Sequence, residues 1–165
     1  EVVNLDALTY ASSRESLLTV DSQSNYKFLE LDICDADRVA CVFSEFQPDL
    51  VMHLAAESHV DRSIEDPSSF VKTNLIGTYN LLESSRNLVE KFDPNRERFF
   101  RFHHVSTDEV YGDLGPFDSP FTEDVAYDPS SPYSATKAGA DHLVRAWGKT
   151  FGLPFVSVPV LSNTK

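Results

Sequence analysis

The stretch Phe99-Phe-Arg-Phe-His-His-Val-Ser-Thr-Asp-Glu-Val-Tyr-Gly112 sets an apolar run against an abrupt polar end. Phe99 to Val105 has the length and composition of a buried strand, and Thr107, Asp108 and Glu109 follow it at once. A hydroxyl beside two carboxylates at a strand end is either a solvated turn or a reactive cluster, because rigid scaffolds present chemistry on the loops that end their elements. What surrounds the strand bears on the choice.

Upstream, Glu1 to Leu5 and Tyr26 to Leu31 read as strands ending in Asp6 and Asp32. Val39, Val42, Phe43 and Phe46 form a helical stripe over 35–46 that Asp35 or Asp37 caps, and Pro48 breaks it before a strand over 49–56. After a polar loop, Pro67 opens a long helix with a stripe through Phe70, Val71, Leu75, Tyr79, Leu82 and Val89. Downstream, Gly115, Pro116, Pro120 and Pro129 mark a long loop over 113–131, of a length that usually carries function. A helix from Ser131-Pro132 to about Phe151 and a strand over 154–160 complete the pattern. Strands alternating with helices predict βαβ units, hence an α/β fold with a doubly wound, Rossmann-like parallel sheet covered on both faces. Ligands of such sheets gather beyond the carboxyl ends of the strands.

Composition narrows the function classes. With 41% hydrophobic and 12% aromatic residues, the 165-residue chain can bury a core as one domain. No apolar run approaches a membrane span and the first residues carry no signal-peptide pattern, so a cytoplasmic location is the expectation. A net charge of -12 repels a phosphate backbone and argues against nucleic-acid binding. Cys34 and Cys41 match neither a redox pair nor a zinc knuckle, and read as structural thiols. His59 and Asp61 lack a third ligand at compatible spacing, so no metal is expected. His53, His103 and His104 fall in predicted strands, where packed or hydrogen-bonded imidazoles are expected.

The most specific pair is Tyr133 and Lys137, four apart and therefore on one face of the helix that Pro132 opens. A free phenol, with a pKa near ~10, is too weakly acidic to act as a base at neutral pH. A cation beside it and the positive helix end would favour the phenolate, which could then take a proton from an alcohol. Chance spacing is the competing explanation. Asp6 could accept hydrogen bonds from a ribose diol or serve a turn, and no arginine follows it to receive a 2′-phosphate, which favours NAD over NADP. Asp32 could meet an adenine edge or cap the next helix. Leu54-Ala-Ala-Glu-Ser58 leaves its strand with small side chains that admit a close cofactor or merely tight packing. None of the six glycines forms the phosphate loop of a Rossmann unit, so Glu1 is expected to begin the second strand of such a sheet. Loss of the central first strand would separate the two halves of the sheet.

Taken together, LDALTYA at 5–11, LDICD at 31–35, HLAAESHVDRS at 53–63, TNLIGTYNLLE at 73–83, FRFHHVSTDEVYG at 100–112 and SSPYSATKAGADHLVRAW at 130–147 resemble the extended short-chain dehydrogenase/reductase family, and within it the sugar-nucleotide 4,6-dehydratases. The resemblance covers nearly the whole chain. It implies that Asp6, Leu8, Thr9, Asp32, Ile33, Leu54, Ala55, Ala56, Glu57, Ser58, Thr73, Tyr133, Lys137 and Asn163 line NAD, and that Ser58 and Thr107 touch the sugar of the substrate, dTDP-glucose. It further implies oxidation at C4, loss of water across C5 and C6, and reduction at C6. In that cycle Tyr133 is the oxidation base, Lys137 its tuner, Glu109 the C5 base, Asp108 the C6 acid and Thr107 a hydrogen-bonding aid. Adjacent carboxylates suit the two roles because ionising one disfavours ionising the other, which pushes their pKa values apart.

The family also implies a homodimer built by packing the 67–89 and 132–151 helices into a four-helix bundle. The match departs at Ala7, where a lysine is usual, and at the end of the chain, where Ser162 replaces a substrate-binding asparagine while Asn163 still matches. The chain is expected to lack the first βα unit and most of a carboxyl-terminal substrate domain, and to bind NAD weakly and turn nothing over by itself. A 4-epimerase, a dehydratase of another nucleotide sugar and a non-catalytic fragment are the competing readings.

Overall fold

The computed structural model describes residues 1–115, 117, 119–122 and 124–160. β1 (Val2–Asp6) and β2 (Tyr26–Glu30) pair in parallel, Val2 opposite Tyr26 and Asp6 opposite Glu30. β3 (Leu50–His53), β4 (Arg101–Thr107) and β5 (Phe155–Val160) form a second parallel sheet in that order. Among the described residues no hydrogen-bonded strand pair joins the two sheets, the separation that the sequence leads one to expect.

Each long helix carries its own start and stop. In α1 (Ala36–Phe46), Asp35 accepts from the Arg38 amide, and Gln47 ends the helix in the left-handed region before Pro48. In α6 (Pro132–Phe151), Ser131 and Ser134 cap each other reciprocally, Pro132 holds the first position, and Gly152 adopts φ 71 at the end. Between α3 (Pro67–Phe70) and α4 (Thr78–Val89) the helix continues as a π-helical turn, Val71–Gly77. α1, α4 and α6 pack side by side and join the sheets through one core, with Leu31, Ile33, Val39 and Phe43 meeting Leu81, Leu82, Phe102 and Val144. Among the described residues no helix is long and apolar enough to cross a membrane.

Four expectations are corrected. The sheet is not covered on both faces: Leu50 and Met52 on β3, Leu54 just after it, and Val156 and Val158 on β5 are exposed, because the three long helices lie together on the opposite face. Phe99 does not begin β4. It ends α5 (Pro94–Phe99), a short helix that Asp93 and Pro94 start, and is exposed. The polar run after β3 is not all loop but forms α2 (Val60–Glu65). The stripe of the 67–89 helix slips, since the wider π turn carries one more residue than an α turn and rotates the face that follows it. Val71 and Tyr79 consequently face outward, while Asn74, Gly77, Thr78 and Leu81 face the core.

Gly77 marks a close approach between the two halves. A Cβ there would lie 2.5 Å from Ile33 Cδ1 and 2.6 Å from Cγ1, inside a side chain that is itself buried. Gly77→Ala would gain about 1 kcal/mol of helix propensity. Overpacking against a β-branched core residue costs about 1–3 kcal/mol. The net expectation is a lower urea midpoint; an unchanged or raised midpoint would mean that Ile33 moves aside freely.

Candidate active site

Thr107 is the last residue of β4 and is buried, and its hydroxyl accepts from the Glu109 amide at 3.3 Å. That contact caps a short 3-10 turn, Asp108–Tyr111, which turns both carboxylates off the strand end while Val110 plugs the core beneath them. Burial raises the Glu109 pKa, and the Asp108 and Asp113 carboxylates raise it further. The proximity argued from sequence therefore has the expected electrostatic sign at Glu109.

The first turns of α6 face this cluster. Tyr133 is almost fully buried, with its ring edge-on to Phe70 at 6.4 Å. Its phenol is pushed up, first by burial and then by the Glu109, Asp108 and Asp141 carboxylates, against a hydrogen bond with Thr107 that lowers it. The sequence reading expects the opposite, a phenol lowered by Lys137. The reason for the difference is burial of the ring, with the carboxylates adding to it; Lys137 Nζ donates instead to the Val105 carbonyl at 2.7 Å, bracing the helix against β4. Lys137 is also buried, which lowers its pKa, and Asp141 is the charge that opposes this.

The other strand ends converge from the neighbouring sheet. Asp6 Oδ1 accepts from the Leu8 amide at 2.7 Å and from Ser12 Oγ at 2.8 Å, which holds Leu8 in a left-handed turn at φ 49. Asp6 Oδ2 accepts no hydrogen bond among the described residues, so one carboxylate edge remains for a diol. Asp32 accepts from the Cys34 amide at 2.9 Å, while the Ile33 side chain packs under Gly77 and its carbonyl accepts from Asn80. Leu54, Ala55 and Ser58 are exposed, Ala56, Glu57 and Thr73 half-buried. Tyr10, from the loop after β1, donates to Glu57 at 3.0 Å and lies under the Arg62 guanidinium at 3.7 Å, so the β1 and β3 loops touch. Asn163 and Ser162 lie outside the described residues.

Asn74 is the residue that sequence reasoning missed. Only 1% exposed, it accepts from the Glu57 amide at 2.9 Å and donates to the Glu57 carbonyl and to Thr136 Oγ1, both at 3.0 Å. One amide thereby fixes the loop after β3 against the helix that carries Tyr133 and Lys137. Its signal was an amide inside an apolar stripe three residues before a glycine, and π turns recur at functional sites.

Behind the cluster lie two buried imidazoles. His53 Nε2 pairs with Thr78 Oγ1 at 2.8 Å, His104 Nε2 with Asp141 Oδ1 at 2.9 Å, and the rings stand 5.3 Å apart. Burial lowers both pKa values. Since each native imidazole resists a proton that the unfolded chain accepts, the stability it contributes is fully present above the unfolded pKa and is lost as pH falls below about 6.5. Each can contribute up to about 1.4 kcal/mol per pH unit. The urea midpoint is expected to fall between about pH 7.5 and about pH 5.5. An unchanged midpoint would show that neither ring is held neutral.

A family model described as GDP-mannose 4,6 dehydratase matches residues 1–165. The dTDP-glucose 4,6-dehydratase 1 of Escherichia coli K12 is 56% identical over 170 residues, which cover 98% of this chain and 47% of that protein. Among solved structures, the dTDP-glucose 4,6-dehydratase of Streptomyces venezuelae with NAD bound superposes at a TM-score of 0.84, with 41% identity over 95% of this chain and 45% of that one. The UDP-glucose 4-epimerase of Thermus thermophilus, also with NAD, follows at 0.80 and 31% over 96% of this chain and 46% of its own. The chain thus spans about half the length of the curated relatives it matches. The parallel sheets joined by packed helices are those of the Rossmann-like dehydratases. Matched by the family model from its first residue to its last, the chain belongs to the GDP-mannose 4,6 dehydratase family.

Proposed function

We propose that a protein carrying this chain dehydrates dTDP-glucose to dTDP-4-keto-6-deoxyglucose. The observation that carries the reading is the meeting of a buried Tyr133 phenol, hydrogen-bonded with Thr107, with a Glu109 carboxyl whose pKa is raised. Tyr133, in the fraction of molecules whose phenol is ionised, takes the proton of the C4 hydroxyl, Glu109 removes the proton at C5 once C4 is a ketone, and Asp108 protonates the departing C6 hydroxyl. Thr107 hydrogen-bonds beside the sugar, with Ser58 on the facing loop. Lys137 braces Tyr133's helix through Val105.

The strand ends fit a dinucleotide. Asp6 has an edge for the ribose, Asp32 stands at the next strand end, and Ala55 and Ala56 keep the β3 exit low beneath a Glu57 backbone clamped by Asn74. Leu8, Thr9, Ile33, Leu54 and Thr73 would surround NAD held there, which would supply reversible hydride transfer, from C4 and back to C6, while Glu109 returns its proton to C5. Relatives solved with NAD support that assignment. The reading includes a cytoplasmic homodimer. Val71, Ile76 and Tyr79, exposed along one helix, with Trp147 half-buried on the next, supply an apolar surface for a four-helix bundle. Sedimentation of the full-length protein checks it, and a monomer at micromolar concentration would remove it.

The fold neighbour with epimerase activity favours one other reading, 4-epimerisation of a nucleotide sugar. Incubating the full-length protein with dTDP-glucose and NAD, followed by mass spectrometry and proton NMR of the sugar, separates the two. Loss of one water supports dehydration. An isomeric sugar of unchanged mass means epimerisation, and unchanged dTDP-glucose removes both.

A further inference from the structure

Asp141 has no role in the reaction as described so far. It is 2% exposed, one turn beyond Lys137 on α6, and side chains from two other segments converge on it. His104 Nε2 meets Oδ1 at 2.9 Å, while Ser106 Oγ and the Tyr127 hydroxyl donate to Oδ2 at 2.6 and 2.9 Å. His104 and Ser106 flank Val105 on β4, and it is the Val105 carbonyl that receives the Lys137 ammonium. Tyr127 belongs to the connection that runs from the carboxylate turn to α6, and its ring stands edge-on to Tyr111 at 5.2 Å, in that same turn. A single carboxylate therefore ties together the strand that ends in Thr107, the helix that presents Tyr133, and the segment between them.

Holding a fold together does not require a charge in this place. A buried carboxylate is expensive to desolvate, and well-packed apolar residues often replace buried ionic groups without loss of stability. Here burial pushes the Asp141 carboxyl up, yet the bonds from His104, Ser106 and Tyr127 outweigh it and hold the group below its usual range, so it stays ionised.

We propose that Asp141 is a positioning residue for the dehydration: it fixes the end of β4 and the Tyr127 connection against α6, so that Thr107, the carboxylate turn and Tyr133 keep one geometry. The inference rests on the reading given above. The groups that face the carboxylate are His104 and Ser106 from β4, Tyr127 from the connection, and Lys137 from its own helix, with Arg145 acting on Tyr127. Asp141 is the charge that opposes the burial lowering the Lys137 ammonium, and it also favours the protonated forms of His104, of Tyr127 and of the Tyr133 phenol.

The test compares the full-length protein with its Asp141→Asn and Tyr127→Phe variants, using dTDP-glucose and NAD. Asp141→Asn preserves shape and removes charge. It is expected to lower kcat by roughly 10- to 100-fold, the scale of a small misplacement of reacting groups, with KM little changed. The alkaline limb of its pH-rate profile should move to lower pH as Lys137 loses its counter-charge. Tyr127→Phe removes one tie and leaves the charge, so kcat should fall severalfold with that limb in place. An Asp141→Asn enzyme that melts earlier but keeps the parent kcat and pH profile would overturn the proposal. If that variant does not fold, Tyr127→Phe decides alone, and an unchanged kcat there overturns it. Failure of the unsubstituted protein to release water would overturn the reaction itself, and the positioning role with it, before any variant is compared.

Discussion

Tyr133→Phe in the full-length protein is expected to slow dehydration by about 10²- to 10⁴-fold while leaving the fold intact. The substitution deletes one oxygen: the ring stays edge-on to Phe70 and the cap formed by Ser131, Pro132 and Ser134 is untouched. What disappears is the group placed to take the C4 proton, and a positioned base contributes about 10²- to 10⁴-fold. The loss should appear in kcat and kcat/KM together, because the interaction grows as the alcohol proton is transferred. A pH consequence accompanies it. Since burial and three carboxylates raise the phenol pKa, the unsubstituted protein should gain activity as pH rises above neutrality, and the residual activity of the variant should lose that rise. Single-turnover formation of the 4-keto sugar is the measurement. A variant that still oxidises C4 at the parent rate would remove Tyr133 from the role.

Much of this was legible in the sequence because it was local. Asp35 and Ser131-Pro132 fix helix starts by hydrogen bonds within a few residues, and α6 runs from Pro132 to Phe151 as its pattern predicts. Asp6, Asp32 and Thr107 sit at strand ends for the same reason, the switch from apolar to polar residues. What was not legible depends on contacts distant in sequence. The π turn exposes Tyr79 and buries Asn74 through packing against Glu57 and Thr136, 17 and 62 residues away. The direction of the Tyr133 shift depends on burial of the ring and on the carboxylates of the turn after β4, which spacing along α6 cannot reveal. The bare sheet face likewise follows from which side each crossover takes, and no single residue records that.

Glu109→Gln should stop the reaction at a later point than Tyr133→Phe, and this difference tests the division of labour between two adjacent carboxylates. The raised Glu109 pKa makes its carboxylate a stronger base than a free glutamate, suited to the weakly acidic hydrogen beside a ketone. The amide keeps the size of the side chain and the Thr107-to-Glu109 backbone cap, since that contact uses the amide nitrogen of residue 109 rather than its side chain. Oxidation at C4 should therefore proceed, and the 4-keto hexose should accumulate on the protein while water release falls by about 10²- to 10⁴-fold. In deuterated water, substrate recovered from Glu109→Gln should carry no deuterium at C5. Asp108→Asn should differ. With the base intact and the acid gone, C5 should exchange while the C6 hydroxyl stays. If Glu109→Gln exchanges and Asp108→Asn does not, the two roles are reversed. If both exchange at the parent rate, neither carboxylate is the C5 base, and the turn after β4 serves only to hold the substrate.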